Sequence, residues 1–192
     1  MSNPSGYRKY VFDEANRKFV GDFDAMYRAE ATEGFDSWHQ DDTRQLQREL
    51  ALELLSRWNF DRVLDVGCGK GAFTHRLKKA NNEVVGVDIS PAAVAIAKSR
   101  FPDIQFREAN LASTSADWSG FGAPFDLLVS LEVLSYLADW PEVLARFAAV
   151  SRWALVSLYL PPDPIGFVQS HDQLASVFAT QFAVHEDVRF LT

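Results

Sequence analysis

The run Val63-Leu64-Asp65-Val66-Gly67-Cys68-Gly69-Lys70-Gly71-Ala72-Phe73 constrains this chain more than any other stretch. A strand-like apolar pattern breaks there into a glycine-rich turn that leads straight into a helical pattern, and a backbone without side chains can press against a ligand. The next strand-like run, Val84-Val85-Gly86-Val87, ends in Asp88, 21 residues past Gly67. A glycine turn followed at that distance by an acidic strand end is the nucleotide-side half of a doubly wound α/β site, in which the carboxylate holds ribose hydroxyls.

Two ligands fit that geometry. Gly67-x-Gly69-x-x-Ala72 is a permitted dinucleotide fingerprint, with a pyrophosphate resting on the helix N-terminus. Asp65 weighs the other way, because a carboxylate at the mouth of the turn repels a pyrophosphate and suits a cation. The pattern Asp65-x-Gly67-x-Gly69-x-Gly71 followed by Asp88 resembles motif I and the acidic end of the second strand in class I S-adenosylmethionine-dependent methyltransferases, whose cofactor carries a sulfonium and an ammonium. Ile104 to Leu111 is similar to that family's third strand, with Asn110 where an Asp usually receives the adenine amino group; an amide oxygen can accept the same bond. Phe125 to Leu137 is similar to the fourth strand and the turn after it, especially in small-molecule members such as the nodulation-factor N-methyltransferases. In all, the resemblance runs over roughly residues 42 to 160.

The resemblance implies a cofactor site built from Asp65, Gly67, Cys68, Gly69, Gly71, Asp88, Ile89, Asn110, Leu111 and Leu131. In it Asp65 faces the ligand's ammonium, the glycines border its methionine portion, Asp88 accepts from both ribose hydroxyls and Ile89 packs on adenine. Trp38 is a candidate cover for the sulfonium through a cation–π contact, and Arg44 a candidate partner for the methionine carboxylate. Glu132, just past the fourth strand, and His39 are the catalytic candidates; methyl transfer needs a base only where the acceptor holds its proton at neutral pH. Tyr136 shares a face with Glu132 if that segment is helical.

Each of these has a plainer reading. The glycines serve any strand-to-helix turn, Asp65 or Glu132 can cap a helix, and Ile89 can be core. Cys68 reads as a small apolar side chain rather than a nucleophile, and as the sole cysteine it excludes an internal disulfide or a multi-thiolate metal site, so no metal is expected. Lys70 reads as a solvent-facing loop residue, and His75, His171 and His185 as surface residues.

A net charge of -7 with no clustered basic face argues against a nucleic-acid substrate. Leu131 to Leu134 also stands where base-methylating enzymes carry their Asn/Asp-Pro-Pro-aromatic motif. No apolar run approaches the ~20 residues of a membrane helix, and the polar N-terminus lacks a signal-peptide core, so a cytoplasmic protein with no membrane partner is expected.

The length suits one domain. Residues 1–41 read as an N-terminal lid, with an amphipathic helix from Ala15 to Glu30 and a turn over Gly34 to His39; a fixed packing arm is the competing reading. Residues 42–192 read as a Rossmann-like, mostly parallel α/β domain with helices on both faces. A helix over Asp42 to Trp58 presents Leu46, Leu50, Leu54 and Trp58 to the sheet. Strands are expected near 62–66, 83–88, 104–108, 125–131 and 153–160, and helices near 71–80, 91–100, 140–150 and 171–181. Ser90-Pro91 and Ser170-x-x-Gln173 are helix starts. Ala183 to Phe190 reads as a sixth strand, which leaves a sheet edge open.

The expected function is transfer of a methyl group from S-adenosylmethionine, giving S-adenosylhomocysteine, to an oxygen or nitrogen of a small molecule, by a monomer or homodimer. A cofactor-binding scaffold without turnover is the alternative, and a nicotinamide-dependent oxidoreductase the third.

Overall fold

The computed structural model describes residues 6–42, 44–112 and 124–189. The chain opens with a single helical turn, α1 (Arg8–Val11), and a short antiparallel hairpin of β1 (Phe12–Asp13) and β2 (Lys18–Phe19), before α2 (Phe23–Glu33). The helix expected from Ala15 therefore begins eight residues late. Its first half is diverted by the Asp13 carboxylate, which accepts from the Asn16 backbone N–H at 3.1 Å and from Asn16 Nδ2 at 2.7 Å and closes a turn instead. Asp22 then caps α2 by accepting from the Ala25 N–H.

α3 (Leu46–Ser56) is shorter than its leucine spacing suggests, and its buried face is rotated. Ala51 and Leu55 enter the core, Leu50 and Leu54 are half-buried, and Leu46 is 66% exposed. Beyond it the doubly wound region follows the expected order: β3 (Arg62–Val66), α4 (Ala72–Leu77), β4 (Glu83–Asp88), α5 (Pro91–Arg100), β5 (Gln105–Glu108), β6 (Phe125–Leu131), α6 (Trp140–Val150), β7 (Ser151–Ser157) and α7 (His171–Gln181). The five longer strands are all parallel, in the order β5-β4-β3-β6-β7. Ser90 and Ser170 both cap as expected, accepting from Ala93 and Gln173.

Alternate residues of the strands feed two cores. Val63, Val84, Leu127 and Val129 meet Ala51, Leu55, Phe73 and Leu77 on one face. Leu64, Val66, Val85, Val87 and Leu128 meet Val143, Leu144 and Phe147 on the other. Strands covered on both faces read as continuous apolar runs, which is why they were legible. A third, smaller core joins the N-terminal segment to α5: Val11, Met26, Tyr27 and Phe35 pack on Ala93, and the Asp24 carboxylate accepts from Ser90 Oγ at 3.0 Å and the Ala92 N–H at 2.9 Å.

The expected sixth strand is not formed by residues 183–189; Phe190 lies outside the described residues. Val184 and Val188 are each about half exposed, and the segment is held by surface contacts instead, Glu186 with Arg57 and the His185 ring 4.8 Å from that of Trp153. Among the described residues nothing pairs with the outer side of β7.

Candidate active site

Strands of a doubly wound sheet end in a crevice where the connections diverge. Here that crevice is a cleft of about 780 Å³ between the carboxyl ends of β3, β4 and β6 and the N-terminal segment. Asp65, Gly67, Cys68, Asp88, Ile89, Asn110, Leu111, Leu131, Glu132, Trp38 and His39 all line it.

Asp88 is buried at the end of β4. One carboxylate oxygen accepts from the Gly69 N–H and the other from the Ser90 N–H, each at 2.9 Å, so each retains a lone pair for a ligand. Burial raises its pKa against backbone hydrogen bonds from Ser90, Gly69 and Ile89. Beside it Ile89 is 45% exposed, an apolar side chain left for something flat to cover. Asn110 is fixed by its own loop, its Oδ1 accepting from the Ala112 N–H at 3.0 Å. Asp65 is also buried. Its pKa is pushed up to about 7, by desolvation first and by the neighbouring Asp88 charge, with a 2.6 Å hydrogen bond from Thr74 Oγ1 working the other way.

The glycines divide. Gly67 has φ of 72° and borders the cleft, with Val133 occupying the place of a side chain. Gly69 and Gly71 do not line it. A Cβ on Gly69 would strike Gln40 and the Tyr27 hydroxyl, and one on Gly71 would strike the Phe106 ring. Packing and positive φ alone already require glycine at 69 and 71.

Lys70 corrects the sequence expectation most sharply. It is 3% exposed, with its ammonium among three carboxylates of the N-terminal segment: Glu30, Asp36 at 2.8 Å and Asp41 at 2.7 Å. Burial opposes its charge, but the hydrogen bonds to Asp36, Asp41 and Glu30 outweigh that and raise its pKa. Arg44 is the second correction. Its side chain is 92% exposed beside Asp42, whereas Arg48, four residues further along, lines the cleft, as does Arg8.

Arg48 donates to the carbonyls of Trp38 at 3.1 Å and His39 at 2.8 Å, the two residues of the Ser37–His39 turn that take φ of 52° and 51°. Left-handed backbone at two consecutive bulky residues is strained, and Arg48 and Gln45, which also donates to the Trp38 carbonyl at 3.2 Å, hold it. Glu132 is a third such residue, with φ of 64°. Both its carboxylate oxygens accept from the Tyr159 N–H, at 2.9 and 2.8 Å, and Gln47 donates to one of them. Desolvation raises its pKa to about 6 despite those bonds. Tyr136, on a short turn after β6, accepts from Trp38 Nε1 at 3.2 Å. The Cys68 thiol is buried, and desolvation lifts its pKa well above the usual range, so it stays protonated.

Neither Arg48, Gln40 nor Gln47 carried a motif. The places of Arg48 and Gln47 follow from where α3 starts, a boundary that periodicity left four residues early, and Gln40, ahead of the helix, is set by its bonds to Tyr27 and to the Lys70 N–H.

A profile of the methyltransferase-domain family matches residues 64–152. Nodulation protein S of Sinorhizobium fredii is 32% identical over 164 residues, an alignment covering 83% of this chain and 71% of that protein. The chain belongs to the class I S-adenosylmethionine-dependent methyltransferases. Trans-aconitate 2-methyltransferase of Escherichia fergusonii is 36% identical over 121 residues, covering 59% of this chain and 45% of that protein. The crystal structure of magnesium protoporphyrin IX methyltransferase from Synechocystis PCC 6803 with bound S-adenosylhomocysteine superposes with a TM-score of 0.58 at 18% identity, over 74% of this chain and 72% of that one, a likeness of fold. The chain spans 34% to 45% of the length of several curated methyltransferases that it matches.

The family cofactor, S-adenosylmethionine, fits the residues present. Asp88 has free lone pairs for ribose hydroxyls, Ile89 offers an uncovered apolar face, and Asp65 offers a carboxyl that a cationic ammonium would ionise. No described helix is long and apolar enough to cross a membrane.

Proposed function

We propose that this chain transfers a methyl group from S-adenosylmethionine to an oxygen or nitrogen of a small-molecule acceptor: a sugar, a glycolipid precursor or a secondary metabolite. What carries the reading is that the cleft continues past the Asp88 end to Glu132 and a wall of N-terminal side chains, which leaves room for a second molecule beside the cofactor. The net charge of -7 favours a diffusible acceptor over a nucleic acid. We place the enzyme in the cytoplasm, as a monomer or homodimer.

When bound, S-adenosylmethionine supplies a sulfonium methyl whose carbon bonds to the acceptor atom while sulfur keeps the electron pair of the broken bond. The chain's part is alignment and dryness. Asp88 and Asn110 hold the nucleoside side and Asp65 balances the ammonium. Trp38, His39 and Tyr136 exclude water from the far side. Glu132, with a pKa near neutrality, takes the acceptor's proton where there is one.

The test is turnover of labelled methyl donor with a panel of acceptors, after melting shifts with S-adenosylhomocysteine and with NAD. Stabilisation by NAD alone would turn the reading to an oxidoreductase. Stabilisation by S-adenosylhomocysteine with no turnover on any acceptor would turn it to a scaffold.

A further inference from the structure

The acceptor end of the cleft is built of rings. Phe12, Phe19, Phe23, Trp38 and Tyr136 form one wall, with Phe19 stacked on Tyr136 (centroids 5.7 Å apart, planes 13° apart) and Phe23 edge-on to Tyr136 at 5.3 Å. All five are only partly buried against the small N-terminal core. Rings that serve packing alone close over one another; these leave area open to the cleft. The apolar surface also continues outward. Val20 is 48% exposed and Tyr159 67%, and Phe167, 40% exposed, lies edge-on to Phe19 at 5.7 Å.

The charged groups at this end are already engaged. Both Glu132 oxygens accept from the Tyr159 N–H, and Gln47 donates to one of them. Asp163 pairs with Arg17 at 2.7 Å, and Arg8 with Glu14 at 2.6 Å. On the ring wall itself the polar atoms are the Tyr136 hydroxyl and the Trp38 N–H, which bond each other, so ligand hydroxyls laid against the rings find few partners, and each one buried unpaired carries its full desolvation penalty. An apolar ring system gives up only its water, and stacks.

On the methyl-transfer reading, we infer that the acceptor is a lipophilic, ring-bearing molecule presenting one nucleophilic oxygen or nitrogen to Glu132. Its apolar body lies against the five rings and its remainder passes out over Val20, Tyr159 and Phe167. Of the acceptor classes named above, a free sugar is the one this disfavours.

Calorimetry on the full chain tests it in two stages. S-adenosylhomocysteine is titrated first, and no binding there overturns the methyltransferase reading and this inference with it. The saturated protein is then titrated with β-naphthol and with methyl glucoside. The expected result is that naphthol binds at least about tenfold more tightly. A double variant, Val20→Ser with Phe167→Ser, changes exposed side chains that the fold does not depend on. It should keep its affinity for S-adenosylhomocysteine and for naphthol, and lose the gain of at least about tenfold that an alkyl tail on the naphthol gives the parent. Equal affinities for naphthol and the glucoside, a preference for the glucoside, or a tail effect unchanged in the double variant would overturn the acceptor class while leaving methyl transfer standing.

Discussion

Lys70 and Asp36 lie 2.8 Å apart across the seam between the glycine loop and the N-terminal segment. The Lys70 side chain is 4% exposed, and Glu30 and Asp41 converge on the same ammonium. The glycine loop is therefore pinned by charge to the N-terminal segment. Replacing Lys70 with Met should cost about 1–3 kcal/mol, the upper end holding only for the buried Glu30, since Asp36 and Asp41 are partly solvated and Asp41 keeps Arg100. The Asp41 pKa is lowered, since bonds to Lys70 and Arg100 outweigh its desolvation, so this stabilisation is present above the unfolded value and is lost as pH falls through the folded one. Denaturant midpoints should show the gap between variant and parent closing below about pH 4.

The proposed function gives Asp88 a second role beside its loop bonds, and its replacement should report both. If it accepts from the ribose hydroxyls, Asp88→Ala should lower S-adenosylhomocysteine affinity by on the order of 1–3 kcal/mol. It also strips the Gly69 and Ser90 N–H groups of their acceptor, so the variant should be less stable as well, by about 1–2 kcal/mol. Calorimetry and thermal melting separate the two. Unchanged affinity in a destabilised variant would make Asp88 a loop staple only.

The parts of the fold that read easily are those whose neighbours are local or generic. β3 and β4 are apolar runs buried on both faces, and the Ser90-Pro91 start depends on residues three apart. The parts that misread depend on distant partners. Nothing near Lys70 in sequence announces Glu30, Asp36 and Asp41, which lie 40, 34 and 29 residues away. Arg44 and Arg48 are indistinguishable by residue type, and only the register of α3 decides which faces the cleft. Val184 and Val188 fall on one face as strand residues would, but the segment is held by distant side chains, Arg57 and Trp153, while the edge of β7 stays unpaired among the described residues.

Asp65 should make cofactor binding depend on pH. Its folded pKa of about 7 lies above the ordinary 3.8, so the stability tied to its neutral form is complete below the unfolded value and is lost as pH rises through about 7. An ammonium bound beside it favours the ionised form. S-adenosylhomocysteine affinity should therefore weaken as pH falls below about 7, with a slope approaching about tenfold per pH unit, and Asp65→Asn should flatten that slope. Asp65→Asn should also be the more stable protein above pH 7, a gain measurable by melting.

For Glu132 the base role predicts a rate that climbs as pH rises through about 6, the pH at which the carboxyl ionises. Glu132→Gln should lower kcat by about 100-fold for a hydroxyl acceptor and remove that limb of the profile. Burying the charge costs stability as pH rises from the unfolded value through about 6, so the variant should be at least as stable as the parent above that pH. A slow variant that is also unstable would mark Glu132 as an anchor for the Tyr159 N–H and not a base.

The N-terminal segment joins two behaviours that deuterium exchange can resolve. Met26 is fully buried and Val11 is 1% exposed, and Asp24 caps α5, so α2 is built into the fold and its amides should be protected with or without ligand. Residues 36–42 differ. They carry the strained Trp38 and His39, hang on Arg48, Gln45 and Lys70, and face the cleft. Strain of that kind is retained where surrounding contacts enforce it, and a ligand under the turn adds to those contacts. Amides of 36–42 should therefore gain protection when S-adenosylhomocysteine is added, while those of 23–33 do not. Removal of residues 1–40 should leave the core face of Ala93 uncovered and Lys70 without Glu30 and Asp36, so the shortened chain should lose stability as well as methyl transfer. Equal exchange over 36–42 in both states would make the whole segment a fixed wall, and the cleft would then admit its ligands through an opening elsewhere.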